Sequence, residues 1–368
     1  MFLEPSSTEL STLLATINSK ILLPEHLTRD QQRLVYKHKS RAKLETEPVE
    51  VTIGEVTLPL EFIDPNLQPS RFDSLKSVLN QSETTEDWEN VVRVLEGFHS
   101  AGIVVKPQWQ DLVVRKLIEN GHHNLVLKAL QRVKATGLRL SNQQVATRVL
   151  KGAHDRAAKS DWEKEETVKA LRFARQIVEL MEDEEHHARS SKSTTSAQGD
   201  WRSKPFVVAV PTELAAVIAQ KHDGDVEVVK TLANRLVNAL KQDNVLAPPQ
   251  SSPGSVALKG QDSFDRVAAF STKTEADFKN NVEQAAAVNA YCAGLAESLV
   301  IWNALKTSKA VLGADMPLAE EAAQYEARIK EVLDQSLEAV PRLQQRGGVA
   351  LRSGYPAYIK EQLQKCQA

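Results

Sequence analysis

The sequence predicts an all-α fold, a helix–turn–helix repeat array (an α-solenoid) preceded by a small N-terminal β-hairpin. Three observations predict it. Between Ser74 and Ser141 the chain repeats itself with a period of 35 residues. Ser77-Val78-Leu79 is answered by Leu112-Val113-Val114, then Val91, Leu95 and Phe98 by Val126, Leu130 and Val133, and Ala101-Gly102-Ile103 by Thr136-Gly137-Leu138. A period of about 20–50 residues marks stacked units that cannot bury their apolar faces alone. Second, 15 Gly, 15 Pro and 5% aromatic residues in 368 fit helices better than a sandwich or barrel. Third, the apolar period switches to two between Val49 and Ile63, around Gly54, which is the pattern of a hairpin.

Residues 1–47 read as a polar helical extension with Leu10, Leu13, Leu14 and Ile17 on one face. It ends in the basic cluster Lys37-His38-Lys39-Ser40-Arg41-Ala42-Lys43. The hairpin and its connection fill 48–70, where Pro59 confines its strand to an edge. Repeats occupy 71–181. Pro107 opens a helix of about 13 residues that Gly121 ends, Leu125–Ala135 forms the next, and Gly137 closes it in the left-handed conformation. A third unit begins near Asn142 and runs to about Met181. The polar run 182–204 has almost nothing to bury and reads as a disordered linker. A further helix pair is expected over 205–243, opening at Pro211-Thr212-Glu213, followed by a loop over 244–272. A helical bundle over 273–345 has a long Ala-rich helix to Leu312 and another from Leu318 to Leu337. Pro341 and Gly347-Gly348 stop it and leave a tail over 346–368.

Hydrophobic content of 42% and charge of 26% are those of a folded chain. Two cysteines, Cys292 and Cys366, exclude a disulfide framework and lack CxxC spacing. No metal site is expected: His122-His123 falls in a turn without ligands at metal spacing, His186-His187 in the linker, and Asp223-Gly224-Asp225 is too short for a calcium loop. No phosphate loop, GxSxG elbow or HExxH is present, so neither an enzyme nor a cofactor or small-molecule substrate is expected. No membrane span is expected either, because Asn289, Glu297 and Asn303 interrupt the most apolar stretch, Ala285–Leu305. Met1–Pro5 resembles neither a secretory signal nor an Arg-rich presequence, so any import signal is expected to be cryptic or to lie ahead of Met1.

The formal net charge of −2 conceals an asymmetry. Residues 106–159 hold eleven Lys and Arg against three acids, a local +8. Clustered cations of this kind suit a polyanion. The candidate RNA-binding residues are Arg132, Arg139, Arg148, Lys151 and Arg156, with Lys37, Lys39 and Arg41 from the N-terminal cluster. Trp88 and Trp109 read as core residues rather than base-stacking platforms.

The 35-residue units resemble pentatricopeptide repeats. The matching residues are Val113-Val114, Gly121, Val126, Leu130, Val133 and Gly137–Ser141, echoed by Val78-Leu79, Val91, Leu95, Phe98 and Gly102-Ile103, over about 70 residues. With the basic extension and the hairpin, the chain is similar to fungal mitochondrial gene-expression and ribosomal proteins. That resemblance implies a mitochondrial matrix protein binding RNA, ribosomal RNA included, together with ribosomal or assembly proteins. The positions that read bases in the family hold Ser77 with Pro107, Leu112 with Asn142, and Thr147. Leu112 and Pro107 offer no side-chain hydrogen bond to a base edge, so a base-by-base code is not expected. The rival reading is a protein-only scaffold or assembly factor for a mitochondrial complex. A single stripe of cations over 106–159 favours RNA, and scattered charges favour a polypeptide.

Overall fold

The computed structural model describes residues 2–47, 49–53, 56–187, 202–243, 280–344 and 355–367, with Val245 and Val267. The expected loop over 244–272 lies almost wholly outside them. Nearly all described secondary structure is helical. The chain divides into two compact units, Met1–Val149 with Glu184–His187, and Leu150–Asp183 with Ala188–Ala368.

The first unit begins with α1 (Thr8–Ile17), a π-helical turn (Asn18–Leu22), α2 (Leu23–His26), α3 (Arg29–Tyr36) and α4 (Arg41–Thr46). Leu10, Leu14 and Ile17 are buried, as their shared face requires, and α1 packs on α5 (Arg71–Gln81). Pro24 has no N–H to give the Lys20 carbonyl, and the Gln68 side-chain amide donates to that carbonyl instead at 3.3 Å. The hairpin pairs β1 (Glu50–Ile53) with β2 (Val56–Pro59) antiparallel, Glu50 facing Pro59. Leu23, Leu27, Val35, Leu44, Leu60 and Ile63 form one small core that joins helices and hairpin.

Two helix pairs follow, α5 with α6 (Thr85–Ser100), and α7 (Pro107–Glu119) with α8 (His123–Gln131). Residues 35 apart share their burial. Val78 and Val113, Val91 and Val126, Leu95 and Leu130, Phe98 and Val133, and Ile103 and Leu138 are all buried. Gly102 and Gly137 have φ of 70° and 68°, the left-handed closure that permits each turn. The helix expected over Leu125–Ala135 is interrupted at Arg132 (φ −112°, ψ 47°) and resumes as α9 (Val133–Thr136). There the Thr136 hydroxyl donates to the Ala129 carbonyl at 2.8 Å.

The N-terminal extension is fastened to α6 by buried polar groups. Asp87 accepts from the Ser6 N–H (2.9 Å) and hydroxyl (2.6 Å) and from the Glu83 and Thr84 N–H groups, while Asn90 exchanges hydrogen bonds with both backbone groups of Leu3. Burial alone would raise the Asp87 pKa. The donors overcome it and hold the carboxyl at about 2.

Glu182–His187, expected within a disordered linker, includes a 3₁₀ turn (Glu184–His186) with His186 buried. The Leu140 N–H donates to His186 Nδ1 at 3.1 Å. A histidine that satisfies a backbone donor supplies the burial that polar composition seemed to deny. Residues 188–201 lie outside the described residues.

The second unit contains α10 from Leu150 onward (the helix spans Gln143–Lys159), α11 (Lys164–Leu180), α12 (Pro205–His222), α13 (Val226–Gln242), α14 (Asn281–Leu312), α15 (Ala319–Gln344) and α16 (Tyr355–Gln367). α12 packs on α11, α13 and α14, and is buried on nearly all sides. Its start is Pro205, not Pro211. Pro211 lies inside the helix, a cost of about 3 kcal/mol in isolation that burial of Phe206, Val207, Ala209, Val210 and Leu214 outweighs. Within this core His154 Nδ1 donates to Glu213 Oε2 at 2.7 Å and the Asn303 amide donates to Glu213 Oε1 at 2.6 Å. Burial pushes the His154 pKa down, but the Glu213 carboxylate overrides it and leaves the imidazole above its ordinary value.

By length and composition alone α14 could cross a bilayer, but it is mostly buried within the protein, as the expected core helix is. It packs on α12, α13, α15 and α16, with Tyr291, Leu295, Leu299, Trp302 and Leu305 buried, and Asn303 is used by Glu213. α15 runs through Pro341 to Gln344 rather than ending there. The expected tail contains α16, which packs on α14 with Ile359, Gln362 and Cys366 buried.

Asp87→Ala is expected to destabilise the first unit by ~2–3 kcal/mol, since several buried donors lose their acceptor. Because the folded pKa lies below the ordinary 3.8, this stabilisation is complete above about pH 5 and lost as pH falls towards 2. Urea unfolding across that range checks both, and a variant whose deficit stayed constant down to pH 2 would contradict it. The two left-handed glycines should respond unequally. Gly102→Ala places a Cβ in open space and costs about 1 kcal/mol of backbone strain. A Cβ on Gly137 would meet His99 Nδ1 at 2.7 Å, so Gly137→Ala should lower the melting temperature further than Gly102→Ala.

Candidate nucleic-acid interface

The fate of each cation over 106–159 is decided by which acid the helix packing brings to it. Arg132 lies 2.6 Å from Glu96, Lys128 2.9 Å from Glu89, and Arg148 meets both oxygens of Asp111 at 3.0 and 3.3 Å. Lys151 pairs with Asp155 at 2.7 Å, its ammonium also 3.9 Å from the Tyr358 ring centroid, and Arg156 pairs with Glu166 at 2.7 Å. Arg156 and Lys169 together hold Glu166 at a pKa of about 2. Arg115 and Lys116 share Glu119, and Lys134 pairs with Glu185.

Four of the five expected RNA-binding residues of this stretch, Arg132, Arg148, Lys151 and Arg156, are therefore bound to carboxylates of the chain itself. Arg139 differs, since its guanidinium donates to the Glu185 carbonyl and keeps its charge unneutralised by that contact. Lys159 and Lys106 are exposed without a carboxylate among the described residues, and Lys106 sits 5.7 Å from the Trp109 ring. Four acids outside the window, Glu89, Glu96, Glu166 and Glu185, thus halve the local +8. The partners of Lys128 and Arg148 lie 39 and 37 residues upstream, close to one repeat length. That is the signal by which they could have been found.

The N-terminal cluster is different. Lys37 caps α3 and Lys39 lies in the 3₁₀ turn His38–Ser40. Both are exposed, with no carboxylate partner among the described residues. Arg41, also exposed, lies 5.9 Å over the Phe62 ring, which His38 approaches at 5.0 Å. Two free ammonium groups beside a guanidinium and two rings form a surface suited to phosphates and unstacked bases.

The remaining candidates are occupied. Trp88 is buried and tilted against His122, and Trp109 stacks on Phe72 at 4.3 Å. Asn142 donates to Gln110 and to the Pro107 carbonyl. His123 Nδ1 lies 3.3 Å from the Gly121 carbonyl. Burial raises the Cys292 thiol to about 11, so it stays a packed thiol.

A family model described as mitochondrial ribosomal protein mS27 matches residues 1–359. The chain belongs to that family. Among curated proteins, the small ribosomal subunit protein mS27 of Neurospora crassa is 27% identical over 224 residues, 60% of this chain and 56% of the relative. The match spans little more than half the length of that protein. Family membership agrees with the resemblance to fungal mitochondrial ribosomal proteins.

The Arg148–Asp111 pair is part-buried and bidentate, so a double-mutant cycle with Arg148→Ala and Asp111→Ala should give a coupling of about 1 kcal/mol in urea unfolding. A coupling indistinguishable from zero would mean that Asp111 does not hold Arg148.

Proposed function

We propose that this chain is a non-enzymatic component of the small subunit of the mitochondrial ribosome in the matrix, with ribosomal RNA and ribosomal proteins as its partners. Its RNA contact is electrostatic and centres on Lys37, Lys39 and Arg41, with Arg139 a subsidiary contact. The observation that carries this is the contrast in charge availability: Lys37 and Lys39 are exposed without a carboxylate, whereas Arg132, Arg148, Lys151 and Arg156 are each held by one. The helix pairs of 71–140 are degenerate pentatricopeptide-like units stacked as a solenoid. Matched burial at a spacing of 35 and the two left-handed glycines support this. Such units act here as a scaffold without a base-reading code. The internal pairing of the repeat cations favours polypeptide over RNA as what the repeats themselves hold.

Binding of small-subunit ribosomal RNA by the purified protein should weaken linearly in log–log salt titration. Lys37→Glu with Lys39→Glu should reduce that slope by about 1.4–1.8, since each phosphate contact contributes about 0.7–0.9, while Arg156→Gln leaves it unchanged. An unchanged slope in the lysine variant would overturn the placement of the contact. Sedimentation of the tagged chain in an RNase-resistant complex away from ribosomes would replace the ribosomal reading with that of a protein-only assembly factor.

A further inference from the structure

The second unit carries a site that the charge pairing leaves open. α11 and α13 each pack on α12, and between them runs a cleft of about 400 Å³ with Pro211 in its lining. α13 has two stripes. Val229, Ala233, Leu236, Val237 and Leu240 are buried in the core. Val228, Thr231, Leu232 and Arg235 recur at i, i+3, i+4 and i+7 and line the cleft, facing Arg175 and Val178 of α11. On this second face Val228 and Leu232 are only half-buried, and Thr231 and Arg235 are exposed.

Arg175 and Arg235 are exposed, and neither has an ion-pair partner among the described residues. In this they differ from Arg132, Arg148 and Arg156. We propose that this cleft docks an acidic amphipathic helix from a neighbouring protein of the ribosomal small subunit. Its aliphatic side chains enter between Val178, Val228 and Leu232, and its carboxylates meet the two guanidinium groups. Two features select polypeptide over RNA. Val178, Val228 and Leu232 give the cleft an aliphatic floor, and no aromatic ring on which a base could stack is among its lining residues. Glu227, two turns before Arg235 on α13, confines the carboxylates of the docked helix to the arginine end of the cleft. A groove between two helices, edged by residues at i, i+3, i+4 and i+7, is the geometry in which an apolar helix face is received. Arginine suits the role because its planar fork pairs bidentately with carboxylates.

This inference rests on the small-subunit reading above and adds the identity of a contact. The chain carrying a photoreactive phenylalanine analogue at Leu232 is expressed in mitochondria, and ribosomal small subunits are isolated and irradiated. The expected product is an RNase-resistant adduct to an identified small-subunit protein, mapping to a helical segment with acids within one turn of the attachment point. Arg175→Glu with Arg235→Glu should lower its yield about tenfold, equivalent to ~1.4 kcal/mol, while circular dichroism and melting stay unchanged, as expected for exposed residues. An adduct to ribosomal RNA, an adduct to a non-acidic segment, no adduct from intact subunits, or a yield insensitive to the double arginine substitution would each overturn the docking proposal and leave the ribosomal reading standing. Failure of the probe-bearing chain and the wild type alike to co-sediment with the small subunit would overturn both.

Discussion

Each successive helix pair in the first unit sets a cation against a carboxylate of the pair before it, and much of the protein's surface chemistry depends on that constraint. Lys128 reaches back from α8 to Glu89 of α6, Arg132 to Glu96 of the same helix, and Arg148 from α10 to Asp111 of α7. The apolar seam beneath them consists of Val91, Leu95, Val126 and Leu130. It supplies most of the adhesion but little direction, because burial of hydrocarbon is indifferent to orientation. Ion pairs at this exposure contribute about 0–1 kcal/mol each. Their weight lies in register and in charge, since every cation bound this way is withdrawn from external anions.

A second constraint acts on the N-terminal residues. A helical extension with a basic end invites description as a mobile arm. Here Ser6 and Leu3 are tied to Asp87 and Asn90 of α6, and the helices after them share a core with the hairpin. Lys37, Lys39 and Arg41 therefore stand on a folded base. A preorganised cationic surface loses less side-chain and backbone entropy on meeting RNA than a disordered arm would.

What was legible in the sequence followed from local or periodic signals. The 35-residue period identified Val78, Val91, Leu95 and their successors as core because burial repeats when the unit repeats. The switch to period two around Gly54 located the hairpin. Gly121 and Gly137 ended their helices as left-handed residues must. What was not legible depended on partners distant in the chain. Glu96, Glu166 and Glu185 carry no local signal of a partner, and only packing sets them against Arg132, Arg156 and Lys134. Pro211 and Pro341 read as boundaries because local propensity says so, and the helices continue through both. α16 offered only Ile359, Gln362 and Cys366 as a buried face, too short a stripe to separate from a tail.

Two clusters of cations that the described ion pairs leave open differ in kind. The first exposes lysines, Lys37 and Lys39, whose compact ammonium groups act as point charges and accept a phosphate from many directions. The second exposes Arg175 and Arg235 at an aliphatic cleft, where a planar fork rewards a carboxylate presented in one geometry. A ribosomal protein must hold a polyanion whose phosphates are everywhere and neighbours whose surfaces are specific. The first task requires charge without orientation and the second requires orientation with modest charge. Pairing of repeat cations with Glu89, Glu96, Glu166 and Glu185 weakens the positive field of that stretch, and on the proposed reading it is the two open clusters that tell the one partner from the other.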